Sequence, residues 1–292
     1  MKIAILGPTA SGKSGLAAEL ARRIGGTVVN GDPFQAFRGL EIGTGQPGPE
    51  ERARAPHLGY GCLPLGAGQN PAGFGRLVRE WLAQADPAVL VTGSGLYLRG
   101  IWEQLDELPE VPPPLQARVR RWGRDLGPGT LHRYLNAVDP LRAAELHPRD
   151  HSRLQRALAL HLATGRRFGD LTAGVRRGIP QGWRALLVEP RREARRERIR
   201  LRVRGQILAG WPLEAFRLVE QGLEGALREL RPLGYLDWLQ GGTPEAVEAR
   251  IVAATQAYAK RQDTFFRNQW PELPRWDPDG ETIEEAFARL GI

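Results

Sequence analysis

The stretch KIAILGPTASGKS, Lys2 to Ser14, joins a continuous apolar run to a glycine-rich turn. A short apolar run that ends in Gly suits a buried parallel strand, because such strands are covered on both faces. The turn GPTASGKS has the spacing G-x-x-x-x-G-K-[ST]. Its glycines let backbone N–H groups close on phosphate oxygens, and the helix starting behind it adds partial positive charge. Gly7, Pro8, Thr9, Ala10, Ser11, Gly12, Lys13 and Ser14 therefore form a polyphosphate cradle. Lys13 reaches phosphate oxygens, and Ser14 is placed to ligate Mg2+. The motif by itself favours ATP and phosphoryl transfer.

Working outward, a helix is expected from Lys13 to Ile24, with Leu16, Ala17, Leu20 and Ala21 on one face. TVVN (Thr27 to Asn30), AVLVTGSG (Ala88 to Gly95) and RALLVEP (Arg184 to Pro190) read as further strands. Strands alternating with helices predict an α/β fold, a phosphate-loop NTPase-like parallel sheet. Ligands of such sheets sit at the carboxyl ends of the strands, so Gly7 to Ser14, Asp32, Gly93 and Ser94 should converge. A small helical domain is expected as an insertion at residues 109–182, leaving 1–108 and 183–292 as the core. PEVPPP (Pro109 to Pro114) reads as its hinge. Its helices are expected near Leu115 to Asp125, Gly129 to Ala137 and Asp150 to Thr164, with Gly165 as a C-cap. An arginine-rich helix follows near Arg191 to Leu208, and the last long helix spans residues 245–270.

The chain has 292 residues with a net charge of +8. Charged residues make up 25% and hydrophobic residues 41%, which excludes a disordered chain. No apolar run is long enough for a membrane span, and the N-terminal run reads as a core strand rather than a signal peptide. One cysteine, Cys62, excludes an intrachain disulfide and leads us to expect a reducing, cytoplasmic setting. The basic surface favours a polyanion such as nucleic acid. Lysine occurs only at Lys2, Lys13 and Lys260; every other basic residue is arginine. A compact ammonium is thus retained in the phosphate loop, where a planar fork does not substitute for it. The histidines show no zinc-type spacing, and nothing points beyond a monomer.

Two features argue against an ordinary kinase. The second strand runs into Asp32, followed by PFQAFRGLEIGTGQP, and the third ends in TGSGLYLRG, without the acidic strand end that usually holds Mg2+ in phosphate-loop NTPases. GPTASGKS, GDPFQAFRGLEIGTGQP, VTGSGLYLRG, DPLRAAELHPRDHSRLQRALALHLATG, RERIRLRVRGQILAG, PLGYLDWL and QAYAKRQDTFFRNQ occur in this order. The chain thereby resembles the tRNA dimethylallyltransferase (tRNA isopentenyltransferase) family over about residues 3 to 270. The resemblance implies transfer of a dimethylallyl group from dimethylallyl diphosphate to the exocyclic N6 amine of an adenosine. That adenosine lies just 3′ of the anticodon in tRNAs reading codons that begin with U. The loop would then hold a diphosphate that leaves, aided by Mg2+ on Ser14.

By the same resemblance Asp32 is the general base, Ser94 a hydroxyl hydrogen-bonded to the base or the target amine, and Lys13 a catalytic cation. Arg202, from RIRLR, would contact the diphosphate, with Arg198 in weaker support. Asp32, Pro33, Phe34 and Gln35, with Ser94, would meet the tRNA anticodon stem-loop. So would Ser152, Arg153, Leu154, Gln155 and Arg156, and Lys260, Arg261, Gln262 and Arg267. Gln116 stands where the family often has a wedging Arg. Phe265, Phe266 and Trp270 read first as core packing, with stacking on RNA bases as the alternative. Gly31, Pro33 and Thr92 depart from the family, which usually has a small residue, Ser and Gly there. A small-molecule kinase would account only for the loop and fold. A noncatalytic RNA-binding protein would account for the departures but not for the retained Lys13, Ser14, Asp32 and the hydroxyl at residue 94.

Overall fold

A computed structural model describes residues 1–67, 70–103, 108–126, 129–172 and 178–292. Six strands form one sheet: β1 (Lys2–Leu6), β2 (Thr27–Asn30), β3 (His57–Leu58), β4 (Ala88–Thr92), β5 (Trp183–Val188) and β6 (Arg275–Trp276). Their spatial order is β3-β2-β4-β1-β5-β6, and every pairing is parallel. β4 stops at Thr92, earlier than the expected Gly95, because Ser94 N-caps a new helix, Gly95–Trp102.

The central strands are apolar on both faces, and the two-residue period divides them between two cores. Ala4, Leu6, Val29, Leu90 and Leu187 face one layer, with helices Pro71–Ala83 and Gly95–Trp102. Ile3, Ile5, Val28, Val89, Val91 and Leu186 face the other, with helices Lys13–Ile24 and Ile283–Arg289. A third cluster forms among helices Arg192–Leu208, Trp211–Glu220, Tyr235–Gln240 and Pro244–Gln269, and it also takes in Phe37 and Leu40. Phe266 and Trp270 are buried, as their core reading required.

The chain divides into two compact units, Met1–Glu103 with Arg177–Ile292, and Gln104–Arg176. Within the second, helices Pro113–Asp125, Thr130–Val138 and His151–Thr164 enclose a core that includes Val119, Leu131, Leu135, Leu154 and Leu158. Of the Pro run expected as a hinge, residues up to Pro112 precede a helix of this unit and the last two start it. Pro113 and Pro114 occupy its first turn, where the missing N–H has no intrahelical partner to lose. Among the described residues, no helix is long and apolar enough to cross a membrane.

Candidate active site

A cavity of about 620 Å³ opens at the carboxyl ends of β1, β2 and β4. Thr9, Lys13 and Ser14 of the loop line it, together with Asp32, Phe34, Gln35, Arg202, Arg261 and Gln262. Gly12 takes φ +92° as the N-cap of helix Lys13–Ile24, a left-handed conformation that glycine adopts freely. Ala10 sits at φ +58°, an uncommon conformation for a residue with a Cβ and one that gathers at ligand cradles.

Lys13 Nζ donates to the Pro8 carbonyl at 3.2 Å. Burial, then the Arg202 guanidinium, lower its pKa to about 8, while Asp32 opposes them. Arg202 comes from helix Arg192–Leu208 and donates through Nη2 to the Thr44 carbonyl at 3.0 Å. Gly45 makes this approach possible: a Cβ there would stand 2.1 Å from Nη2. One helical turn on, Gln206 Nε2 donates to the Ile42 and Gly43 carbonyls at 2.7 and 3.1 Å. The Glu214 carboxylate accepts from Ile42 N at 2.8 Å, Gly43 N at 3.0 Å and the Tyr235 hydroxyl at 2.5 Å. Segment 41–45 is thus held from both sides, and it fixes the Arg202 fork above the loop. Arg198 is engaged elsewhere, in an ion pair with Asp279, and does not line the cavity.

Asp32 is positioned through its backbone. Asn30, fully buried at the end of β2, accepts from Asp32 N at 2.8 Å. Its amide donates to the Asp32 carbonyl at 2.9 Å and the Gly59 carbonyl at 2.8 Å. Asp32 Oδ1 accepts from Phe34 N at 3.0 Å, capping the 3-10 turn Pro33–Ala36. Burial raises the Asp32 pKa above the ordinary carboxylate value, against the pull of Lys13, the Phe34 amide and Arg202.

Ser94 caps its helix without a side-chain bond to it, so its hydroxyl is not spent on the helix. The Tyr258 hydroxyl interacts with the Ser94 and Gln262 side chains; burial, then Asp32, raise its pKa. Gln262 is buried, with its amide fully committed. Oε1 accepts from Thr9 N at 2.8 Å and Nε2 donates to the Gly93 carbonyl at 2.8 Å. It ties the phosphate loop to the end of β4 and so positions the loop. It also lines the cavity, beside Arg261.

The remaining expected tRNA contacts divide. Arg261 lines the cavity, and Lys260 and Arg267 are exposed on the same helix. Gln35 lines the cavity but spends its amide donors on the Thr44 and Gly45 carbonyls at 3.0 and 2.9 Å. Pro33 is buried under the 3-10 turn, which corrects its expected exposure to RNA. Leu154 is likewise corrected: it is fully buried in the helical unit. Ser152, Arg153 and Arg156 are exposed on helix His151–Thr164, where Arg153 pairs with Asp150 at 3.0 Å. Gln155 is half-buried there. Gln116 donates to the Val111 carbonyl at 2.8 Å within the same unit.

Mg2+ fits the donor set. It prefers hard oxygen ligands and binds through one or two carboxylates, waters and substrate phosphates. The cavity supplies the Ser14 hydroxyl. Among the described residues no group of three or more His, Cys, Asp or Glu forms a metal cluster. The ion would therefore depend on oxygens of a bound diphosphate.

The parallel sheet, the G-x-x-x-x-G-K-[ST] loop at the end of β1 and the basic cavity beyond it define a phosphate-loop protein with a helical unit inserted between β4 and β5. The family model for IPP transferase matches residues 35–269, and that for isopentenyl transferase matches residues 1–56. A tRNA dimethylallyltransferase from Rhodospirillum centenum is 40% identical over 95% of this chain and 91% of its own length. One from Methylobacterium radiotolerans is 41% identical over 98% and 96%. The solved full-length tRNA isopentenylpyrophosphate transferase from Bacillus halodurans superposes with a TM-score of 0.67. It is 26% identical, over 99% of this chain and 96% of that one. A eukaryotic dimethylallyltransferase, solved acting on tRNA, shares the fold with a TM-score of 0.78 at 21% identity, over 98% of this chain and 78% of that one. The chain belongs to the IPP transferase family.

Proposed function

We propose that the chain is a tRNA dimethylallyltransferase. It takes the dimethylallyl group from dimethylallyl diphosphate to the N6 amine of the adenosine just 3′ of the anticodon, and releases diphosphate. The tRNAs are those reading codons that begin with U. The observation that carries this reading is the meeting, in one cavity, of a phosphate cradle with two cations and a buried carboxylate, Asp32. A kinase acting on a hydroxyl uses the same parts; what favours prenyl transfer over phosphoryl transfer is membership of the IPP transferase family.

As the allylic C–O bond breaks, charge grows on the bridging oxygen. The loop N–H groups, Lys13 and Arg202 are placed to stabilise it. Mg2+ held by Ser14 would supply further charge neutralisation there. The adenosine amine attacks the allylic carbon and must give up a proton. Asp32 accepts it, and the burial that raises its pKa makes it a stronger base, while Lys13 and Arg202 pull the other way. The target base must leave the anticodon stack to reach a buried carboxylate. Arg261 at the cavity, Lys260 and Arg267 exposed on the same helix, and Arg153 and Arg156 on the helical unit, are proposed phosphate contacts. The proposal places the protein in the cytoplasm with its tRNA, working as a monomer.

The test is a transfer assay with Mg2+, dimethylallyl diphosphate and an unmodified tRNA whose anticodon ends in A and is followed by adenosine. Mass analysis of the digested RNA should find one adenosine carrying a single C5 unit, with one diphosphate released per group transferred. Absence of that nucleoside, with tRNA bound, overturns the reading in favour of an RNA-binding protein.

A further inference from the structure

The ends of β2 and β4 carry Asp32 and Ser94, and one hydroxyl joins them. Thr92, the last residue of β4, is fully buried. Its Oγ1 donates to the Gly31 carbonyl at 2.7 Å and accepts from Ser94 N at 3.1 Å. Gly31 immediately precedes Asp32, and its own N–H donates to the Val91 carbonyl at 2.9 Å. The Thr92 side chain therefore closes a bridge across the two strand ends just where each leaves the sheet. Removing the hydroxyl would leave the buried Gly31 carbonyl and the Ser94 amide without this partner.

The space around the bridge explains Gly31. A Cβ at residue 31 would stand 2.9 Å from Thr92 Cβ, 3.0 Å from Leu90 Cδ1 and 3.1 Å from the Val91 carbonyl oxygen. The nearest of these is the threonine itself. A side chain at residue 31 and threonine at residue 92 compete for one volume. The glycine expected at residue 92 and the small side chain expected at residue 31 have traded places.

We propose that Thr92 is a positioning residue for the transfer reaction and that it acts as one unit with Gly31, setting the separation between the Asp32 carboxylate and the Ser94 hydroxyl. The inference rests on the transferase reading above. Thr92 takes no part in bond making. Its hydroxyl fixes the two peptide segments from which the reacting side chains project, and a displacement of about 1 Å there is enough to cost about 100-fold in rate.

The experiment compares wild type with Thr92→Val and Thr92→Ser in the transfer assay, reading kcat and the KM for dimethylallyl diphosphate separately. Valine keeps the shape and deletes the bridge; serine keeps the bridge. The expected result is a fall in kcat of about 10- to 100-fold for Thr92→Val with KM for the donor little changed, and recovery of most of the rate in Thr92→Ser. Equal loss in both variants would assign the effect to the methyl group and overturn the proposal, as would wild-type kcat in Thr92→Val. A second arm uses Gly31→Ala alone and with Thr92→Gly. If the pair is one unit, the double variant is more active than the product of the two single effects predicts. If the effects simply multiply, the unit does not exist. Wild-type transfer is the control that separates the two readings: without it the transferase assignment fails, and with it only the role of Thr92 is at stake.

Discussion

Asp32 is subject to opposing pulls, and they set its use. Burial raises its pKa, while Lys13 and Arg202 lower it, with the first effect the larger. A base with a raised pKa loses function as pH falls through that pKa. The acid limb of kcat/KM should therefore lie above the range of an ordinary carboxylate, and Asp32→Asn should abolish that limb. Lys13 has the opposite sign. Its ammonium, lowered to about 8 by burial and Arg202, is fully present below that pH and is lost above it. Donor affinity in the free enzyme should weaken as pH rises through about 8, and a binding titration across pH 6.5–9.5, a window of about 1.5 units either side, checks it. Lys13, Ser14 and Asp32 were legible because each sits at a fixed offset from a strand end in a pattern with a mechanical reason. Asn30 was not, although a polar residue closing a buried strand was a signal. The ties of Gln262 to two backbones were not legible either, because sequence cannot tell a buried amide from an exposed one.

At the scale of elements, the segment 41–45 shows what periodicity cannot reach. Its position depends on Glu214 and Gln206, contributed by helices far along the chain. Glu214→Ala would strand two backbone donors and the Tyr235 hydroxyl. We expect a loss of about 3 kcal/mol in urea unfolding, together with weaker donor binding as Arg202 loses its anchor at Thr44. Glu214→Gln keeps an acceptor and should cost less. The buried pair Arg195–Asp263 braces the helix that presents Gln262. Asp263→Ala leaves a buried guanidinium unpaired and should destabilise by about 3–5 kcal/mol, read from the same unfolding curve. The long strands and helices were legible from their apolar runs. β3 and β6, two residues each, carry no periodic signal and exist because neighbouring strands offer them partners. Pro113 and Pro114 were read with the hinge because the same residues that mark hinges also start helices.

At the scale of the whole molecule, the charge of +8 carried almost wholly by arginine fits a polyanionic substrate. Binding that neutralises about six to ten phosphates should weaken by about 10³- to 10⁵-fold between ~50 and ~200 mM salt. Arg153→Ala with Arg156→Ala should reduce the salt slope by about one per residue and leave donor binding unchanged. An unchanged slope would remove both from the tRNA contact. The helical unit runs over Gln104–Arg176, against the expected 109–182, and no change in composition marks those bounds in the sequence.

The central claim is that a buried carboxylate takes the proton while the phosphate loop holds what departs. It is tested most directly by single-turnover transfer with Asp32→Ala, with the binding of donor and tRNA measured on the same protein. The account predicts that both substrates still bind, that transfer slows by about 10²- to 10⁴-fold, and that diphosphate release slows with it. Transfer at the wild-type rate in this variant would contradict it.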